Sequence, residues 1–272
     1  MIKGCMAAVV FLTIAACSLF LPLPPANPSF HKLEEIRSDL VTLGWLRSGS
    51  SSINQPLLVV IEGDGAAWSS DKTVPSDPTP RSGAGARLAS ALVNGRSVLY
   101  LARPGQYLSP EQAARCSIHH WTDQRFGNGP VTALGALIDR AQMAGQKVIL
   151  IGFSGGGVLA AELAVMRKDV LALITVAAPL DLDGWTRFHN ISPLATVSRD
   201  LPSSLGKATF AQRHLYGARD RVVPPNLVAS LSRLLPANTV RLLDNLGHDD
   251  DWAPTVTAEL RYLTGDEGAP GK

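Results

Sequence analysis

The sequence predicts an α/β chain: a mostly parallel sheet with helices on both faces. Three observations carry this. Short apolar runs rich in Val, Ile and Leu recur between residues 56 and 243, and runs without polar alternation suit strands buried on both faces. Stretches with helical spacing separate them, and alternating strand and helix builds a parallel sheet through crossover connections. The chain has 272 residues, 46% hydrophobic and 18% charged. That is long enough for one large core and too apolar for a disordered chain.

Taken in order, Leu43–Leu57 reads as an antiparallel entry hairpin turning through Gly49-Ser50-Ser51-Ser52. Strands follow at Pro56–Ile61, Ser97–Ala102, Lys147–Ile151, Leu171–Val176, Arg213–Tyr216 and Thr239–Leu243. Helices are expected over Gly85–Val93, Val131–Met143, Gly155–Met166, Leu227–Leu235 and Val256–Leu263. In the second of these, Val131, Leu134, Leu137 and Ile138 share one stripe. Pro179–Phe210 does not alternate. A connection that long in a compact domain suits a small cap over a site.

The first residues form a targeting segment. Lys3 precedes an apolar run, Met6–Ala16, that ends in small residues, the pattern of a signal peptide. Ile14-Ala15-Ala16-Cys17 resembles the lipobox of bacterial lipoproteins, which makes Cys17 the expected lipidated first residue of the mature chain. Pro22, Pro24, Pro25 and Pro28 then suit an extended tether. An uncleaved membrane helix or plain secretion are the alternatives. Ser18 is not the aspartate that retains lipoproteins at the inner membrane, so the lipoprotein rule favours an outer-membrane or periplasmic-face location. The division is therefore 1–16 signal peptide, 17–30 attachment site and tether, and 31–272 catalytic-type domain with cap segment 179–210.

Composition narrows the partners. Net charge is +2 with no basic block, so no nucleic-acid partner is expected. The six histidines are dispersed and no HExxH or paired CxxC occurs, so no metal is expected. With Cys5 removed and Cys17 lipid-linked, Cys116 is left unpaired. A buried inert thiol is the favoured reading; a nucleophile near His119 and His120 is the alternative.

The chemistry falls at strand ends. Gly152-Phe153-Ser154-Gly155-Gly156 is G-x-S-x-G, directly after one expected strand and opening the next helix. Such a turn strains the serine backbone, requires small neighbours, and places the Gly155 N–H at a helix N-terminus where developing negative charge is favoured. A serine hydroxyl needs a base, and the base an orienting acid. Asp220 lies just after a strand, in a turn closed by Val223-Pro224, with Asp181 and Asp183 as runners-up. His248, in Leu246-Gly247-His248, is the expected base; His189 and His214 both precede the acid and suit it less. Asp249, Asp250 and Asp251 read as an acidic first turn of the last helix.

These motifs, in the order Ser154, Asp220, His248, resemble the α/β-hydrolase family. The stretches Ser76–Arg81, Leu101–Tyr107 and Trp121–Phe126 resemble a poorly characterised bacterial group within it, and the resemblance covers nearly the whole mature chain. It implies an α/β-hydrolase fold and a serine nucleophile working without cofactor. The second oxyanion donor would come from the loop Ile61–Trp68, where Glu62-Gly63 replaces the family's His-Gly, and Asp64 would supply the N–H. The Asp64 carboxylate is awkward there and is expected to turn away or be hydrogen-bonded. Arg103, in Arg103-Pro104-Gly105, could hold a substrate carboxylate or phosphate; tying the loop to Asp64 or Glu62 is the favoured role. Two functions follow: a membrane-anchored hydrolase of an ester, thioester or amide, acting on a small-molecule or lipid-like acyl substrate, or a lipid-anchored binding or scaffold protein that has kept only the fold.

Overall fold

A computed structural model describes residues 26–49, 52–67, 73–198 and 200–265 of the chain. The expected signal segment, Cys17 and the tether up to residue 25 lie outside the described residues. Among the described residues no helix is long and apolar enough to cross a membrane.

Among the described residues eight strands form one sheet in the order β1-β2-β4-β3-β5-β6-β7-β8. β1 (His31–Arg37) pairs antiparallel with β2 (Leu40–Arg47), and β2 antiparallel with β4 (Val98–Leu101). β3 (Leu57–Ile61), β4, β5 (Val148–Phe153), β6 (Val170–Val176), β7 (Ala211–Gly217) and β8 (Val240–Leu243) run parallel. β3 and β5, at the centre, are buried at every residue, as their unbroken apolar runs require.

The entry hairpin exists but lies earlier than expected. Its turn is at Ser38-Asp39, between β1 and β2; β2 ends at Arg47 and β3 starts at Leu57, and residues 50 and 51 of the expected turn lie outside the described residues. The glycine–serine run mimics a hairpin turn. The true first strand, His31-Lys32-Leu33-Glu34-Glu35-Ile36-Arg37, is an edge strand whose exposed polar residues mask the pattern. His31 faces Leu46, and Arg47 faces Val98 at the start of β4. The chain therefore enters the sheet at the end where the parallel strands begin.

The helices are α1 (Ala84–Ala91), α2 (Pro110–Ala113), α3 (Asn128–Ala141), α4 (Gly155–Met166), α5 (Leu182–Phe188), α6 (Leu201–Gly206), α7 (Pro225–Leu231) and α8 (Ala253–Thr264), with a 3₁₀ turn at Ile118–His120. One apolar cluster joins Val59, Leu150 and Leu173 to α3 and α4. The other joins Val60, Ile151 and Ile174 to α1 and α8. The sheet is thus covered on both faces. α4 is buried from Gly155 to Ala164, because it lies between the sheet and its neighbours α3 and α6.

The segment Pro179–Phe210 is not a continuous cap. It carries α5 and α6, and Leu201 and Leu205 sink into the core. The Ser198 amide and hydroxyl bond the buried Glu162 carboxylate on α4, the hydroxyl at 2.5 Å. The later part of the segment therefore packs against α4. Apolar spacing at Leu194, Val197, Leu201 and Leu205 anchors it there.

Candidate active site

β5 ends at Phe153 and α4 begins at Gly155, leaving Ser154 to make the whole turn. Its backbone sits at φ 51°, ψ −125°, a strained region for a residue with a side chain. The Ser154 N–H donates to the Val176 carbonyl at 2.7 Å, which pins the turn to β6. The flanking glycines are required by close approach. A Cβ on Gly152 would meet Gly157 Cα at 2.5 Å, and one on Gly157 would meet Ala178 Cβ at 2.5 Å.

The structure brings the three expected residues together at the finishing ends of the parallel strands. Ser154 Oγ lies 3.0 Å from His248 Nε2, and His248 Nδ1 lies 2.8 Å from Asp220 Oδ2. The other Asp220 oxygen, Oδ1, accepts the N–H groups of Val222 at 2.7 Å and Val223 at 2.9 Å. The Asp220 side chain is fully buried. The His248 ring packs 5.2 Å from the Phe153 ring, and its carbonyl accepts the Trp252 indole N–H at 3.1 Å. Backbone, ring and acid thus fix the imidazole from three sides.

The other candidates are placed elsewhere. Asp181 caps α5 by accepting the Gly184 N–H at 2.9 Å. His214 is buried between Thr175 and Gln212, each 2.9 Å away, and burial pushes it down to about 3. His189 Nε2 contacts the Val222 carbonyl at 2.8 Å. Cys116 is buried with Sγ 3.8 Å from the Val41 carbonyl, and burial pushes its thiol up. Asp249–Asp251 precede α8 rather than forming its first turn, where Pro254 stands. Asp250 instead accepts the Gly247 N–H at 2.7 Å, which tightens the His248 loop.

Glu62, buried beside the elbow, accepts the N–H groups of Gly63, Gly85 and Ala86 and the Tyr100 hydroxyl, all at 2.9–3.0 Å. It fastens the loop after β3 to the N-terminus of α1. That engagement occupies the Gly63 N–H. Neither the Asp64 N–H nor the Gly155 N–H has a partner among the described residues, which leaves both free to meet a developing oxyanion.

The Asp64 carboxylate pairs with the Arg103 guanidinium, and Arg125 Nε stands 3.2 Å from its other oxygen. Burial alone would push this carboxyl up; Arg125 and Arg103 outweigh that and hold it below the ordinary carboxylate range. Arg103 is 2% exposed and also donates to the Arg125 carbonyl at 3.0 Å. It does not line the cleft, so the substrate-binding assignment is corrected: its charge is consumed inside the protein. Sequence reading included Arg125 only within the stretch Trp121–Phe126 and gave it no role; its pairing with Asp64 comes from the fold.

A cleft of about 530 Å³ opens above Ser154. Gly63–Ala66, Phe153 and His248 form its floor region, with Arg81, Pro179, Trp185, Val222 and Asp249 among the other lining residues. Of the expected cap segment, Pro179 and Trp185 reach it. The Trp185 indole donates to the Val222 carbonyl at 2.7 Å, which ties α5 to the acid loop.

The chain matches no family model, and no curated relative is similar to it in sequence. Solved structures are similar in fold. Est1E from Butyrivibrio proteoclasticus, with ferulic acid bound, aligns with a TM-score of 0.60 at 16% identity, over 86% of this chain and 98% of that one. The esterase domain of a Rhodothermus marinus protein gives 0.57 at 15%, over 85% and 97%. An α/β serine hydrolase without lid from Xanthomonas campestris gives 0.56 at 15%, over 90% and 98%. The fold is the α/β-hydrolase fold.

Proposed function

We propose that this chain is a serine hydrolase that cleaves carboxylic esters through an acyl-enzyme, held at a bacterial membrane by lipid on Cys17. The single observation that carries the chemistry is the chain Ser154 Oγ, His248, Asp220, with links of 3.0 and 2.8 Å, at the floor of an open cleft. In the proposed reaction Ser154 Oγ attacks the ester carbonyl while His248 Nε2 takes its proton. The carbonyl oxygen becomes an oxyanion received by the Gly155 and Asp64 N–H groups. His248 then returns the proton to the departing alcohol, leaving an acyl group on Ser154. Water, activated by His248, releases the acid. Asp220 holds the imidazole tautomer throughout.

Ester cleavage is the favoured reaction because one of the similar structures is described as an esterase domain. The cleft pairs apolar walls (Phe153, Trp185, Val222) with polar rim groups (Arg81, Asp249), which suits a small or mixed-polarity acyl ester. The anchor and an envelope location rest on the lipobox-like run ending at Cys17 and the proline tether.

Fluorophosphonate labelling, with hydrolysis of p-nitrophenyl esters, tests the chemistry. The wild type is expected to be labelled at Ser154. Ser154→Ala should be folded, unlabelled, and slower by on the order of 10⁴ to 10⁶. An unlabelled, inactive wild type would leave the binding or scaffold reading in its place.

A further inference from the structure

Asp64 offers a backbone N–H to the site and a carboxylate to the interior, and four buried features converge on it. The Gly63 carbonyl accepts Gln106 Nε2 at 2.9 Å. That carbonyl and the Asp64 N–H belong to one planar trans peptide, so fixing the oxygen aims the N–H the opposite way. Gln106 is completely buried, and its Oε1 accepts the Arg103 N–H at 3.0 Å. The Asp64 carboxylate is gripped by Arg103 and approached by Arg125. Both guanidinium groups lie over the Phe126 ring, 5.1 and 5.3 Å from its centre, and Arg125 also faces Trp185 at 5.8 Å.

The carboxylate rests directly on the residue after the nucleophile. A Cβ on Gly155 would land on Asp64 Oδ1 and 2.6 Å from an Arg103 nitrogen. Gly155 is therefore a glycine for a reason separate from the turn: the Asp64–Arg103 pair fills the space of its side chain. An unneutralised carboxylate so close to a forming oxyanion would oppose catalysis.

We propose that Gln106, Arg103 and Arg125 are positioning residues for the oxyanion hole. Gln106 orients the peptide that carries the Asp64 N–H. The two arginines hold the Asp64 carboxylate against Gly155 and neutralise it. None of the three touches substrate. The proposal rests on the serine-hydrolase reading, deepens it, and makes the hole a preset unit spanning the loops after β3 and β4 and the chain before α3.

The test measures kcat and KM for a soluble p-nitrophenyl ester, the inhibition constant of an alkyl trifluoromethyl ketone, and the thermal midpoint. The ketone adds to a serine and presents a real oxyanion to the hole. Gln106→Met and Arg125→Gln are expected to lower kcat about 10- to 100-fold and to weaken the ketone by the same factor, below the loss of a whole donor. KM should change little, since the interaction is made in the transition state. Arg125→Lys, which keeps the charge, should recover most of the loss. Where Arg125→Gln does not fold, Gln106→Met decides, because it removes no charge and lies outside the hole while releasing the Gly63 carbonyl. Folded variants with unchanged kcat and ketone affinity, or losses in kcat that the ketone does not share, overturn the proposal. A wild type that labels with fluorophosphonate while these variants match it isolates that failure from the serine reading; a wild type that does not label overturns both.

Discussion

Asp220→Asn is the substitution whose outcome the geometry fixes most closely. Asp220 Oδ1 accepts two backbone N–H groups, from Val222 and Val223, and Oδ2 faces His248 Nδ1. An asparagine has one oxygen for these two tasks. With its oxygen on the backbone pair, its NH₂ points at His248 Nδ1, which must then present a lone pair. The ring proton moves to Nε2, facing Ser154 Oγ at 3.0 Å, and the base can no longer accept the serine proton. The flipped amide would restore the tautomer but leave two buried N–H groups facing an NH₂. At about 1–3 kcal/mol each, that costs about 2–6 kcal/mol, so about 3% or less of molecules would escape this way. The neutral amide also fails to stabilise the imidazolium. The expected fall in kcat is about 10³- to 10⁴-fold, or about 4–5.5 kcal/mol of barrier. Steady-state hydrolysis and the rate of fluorophosphonate labelling should fall together, with the protein folded. Asp181→Asn can keep its cap on Gly184 and Asp183→Asn leaves the triad intact, so both should stay within a few-fold of wild type. A rate for Asp220→Asn within tenfold of wild type, or equal damage from Asp181→Asn or Asp183→Asn, refutes the reasoning.

Two further outcomes follow. His214 is held neutral by burial, pushed down to about 3 in the folded protein against about 6.5 unfolded. Between these values the unfolded chain binds the extra proton, so this contribution to stability is complete above about pH 6.5 and is lost as the pH falls toward 3, at up to about 1.4 kcal/mol per pH unit. Urea midpoints at pH 7, 6 and 5 should therefore decline less steeply for His214→Gln; parallel slopes would contradict the assignment. Cys17→Ser should release the protein from membranes with ester turnover intact, and intact mass should show lipid on the wild type alone. A membrane-bound variant with its N-terminus uncleaved would indicate a helical anchor, and a soluble, lipid-free wild type would indicate secretion.

The centre of the fold was legible because parallel strands are buried on both faces and write themselves as unbroken apolar runs. Leu57–Ile61 and Val148–Phe153 are the clearest. Ser154 was legible because it follows such a run directly and the elbow glycines mark a turn that tolerates nothing larger; Asp220 and His248 were legible because each lies in a short loop after a strand, in the order acid then base. β1 was not legible: an edge strand meets water, and its charged residues break the pattern. Nor was the packing of 194–205 along α4. Its apolar residues signal burial but not which surface they meet. The arginine clamp was only half visible. Arg103 could be linked to Asp64 by strand-end geometry, whereas Arg125 and Gln106 reach the same loop through tertiary folding alone.

The entry point of the chain gives the molecule a direction. β1 begins beside the start of β4, and Ser154, Asp220 and His248 stand where the parallel strands finish. Strands of five or six residues at about 3.3 Å each separate the two poles by about 20 Å. Lipid on Cys17 would draw the entry pole toward the bilayer and leave the mouth of the cleft looking away from it. A polyproline-like tether over residues 18–25 would reach about 25 Å and lift the domain off the bilayer. A hydrolase mounted this way would work outward. Substrates dissolved in the surrounding compartment, or displayed on a facing surface, would meet the mouth directly. Those lying in the supporting bilayer would meet it only if the domain turned over.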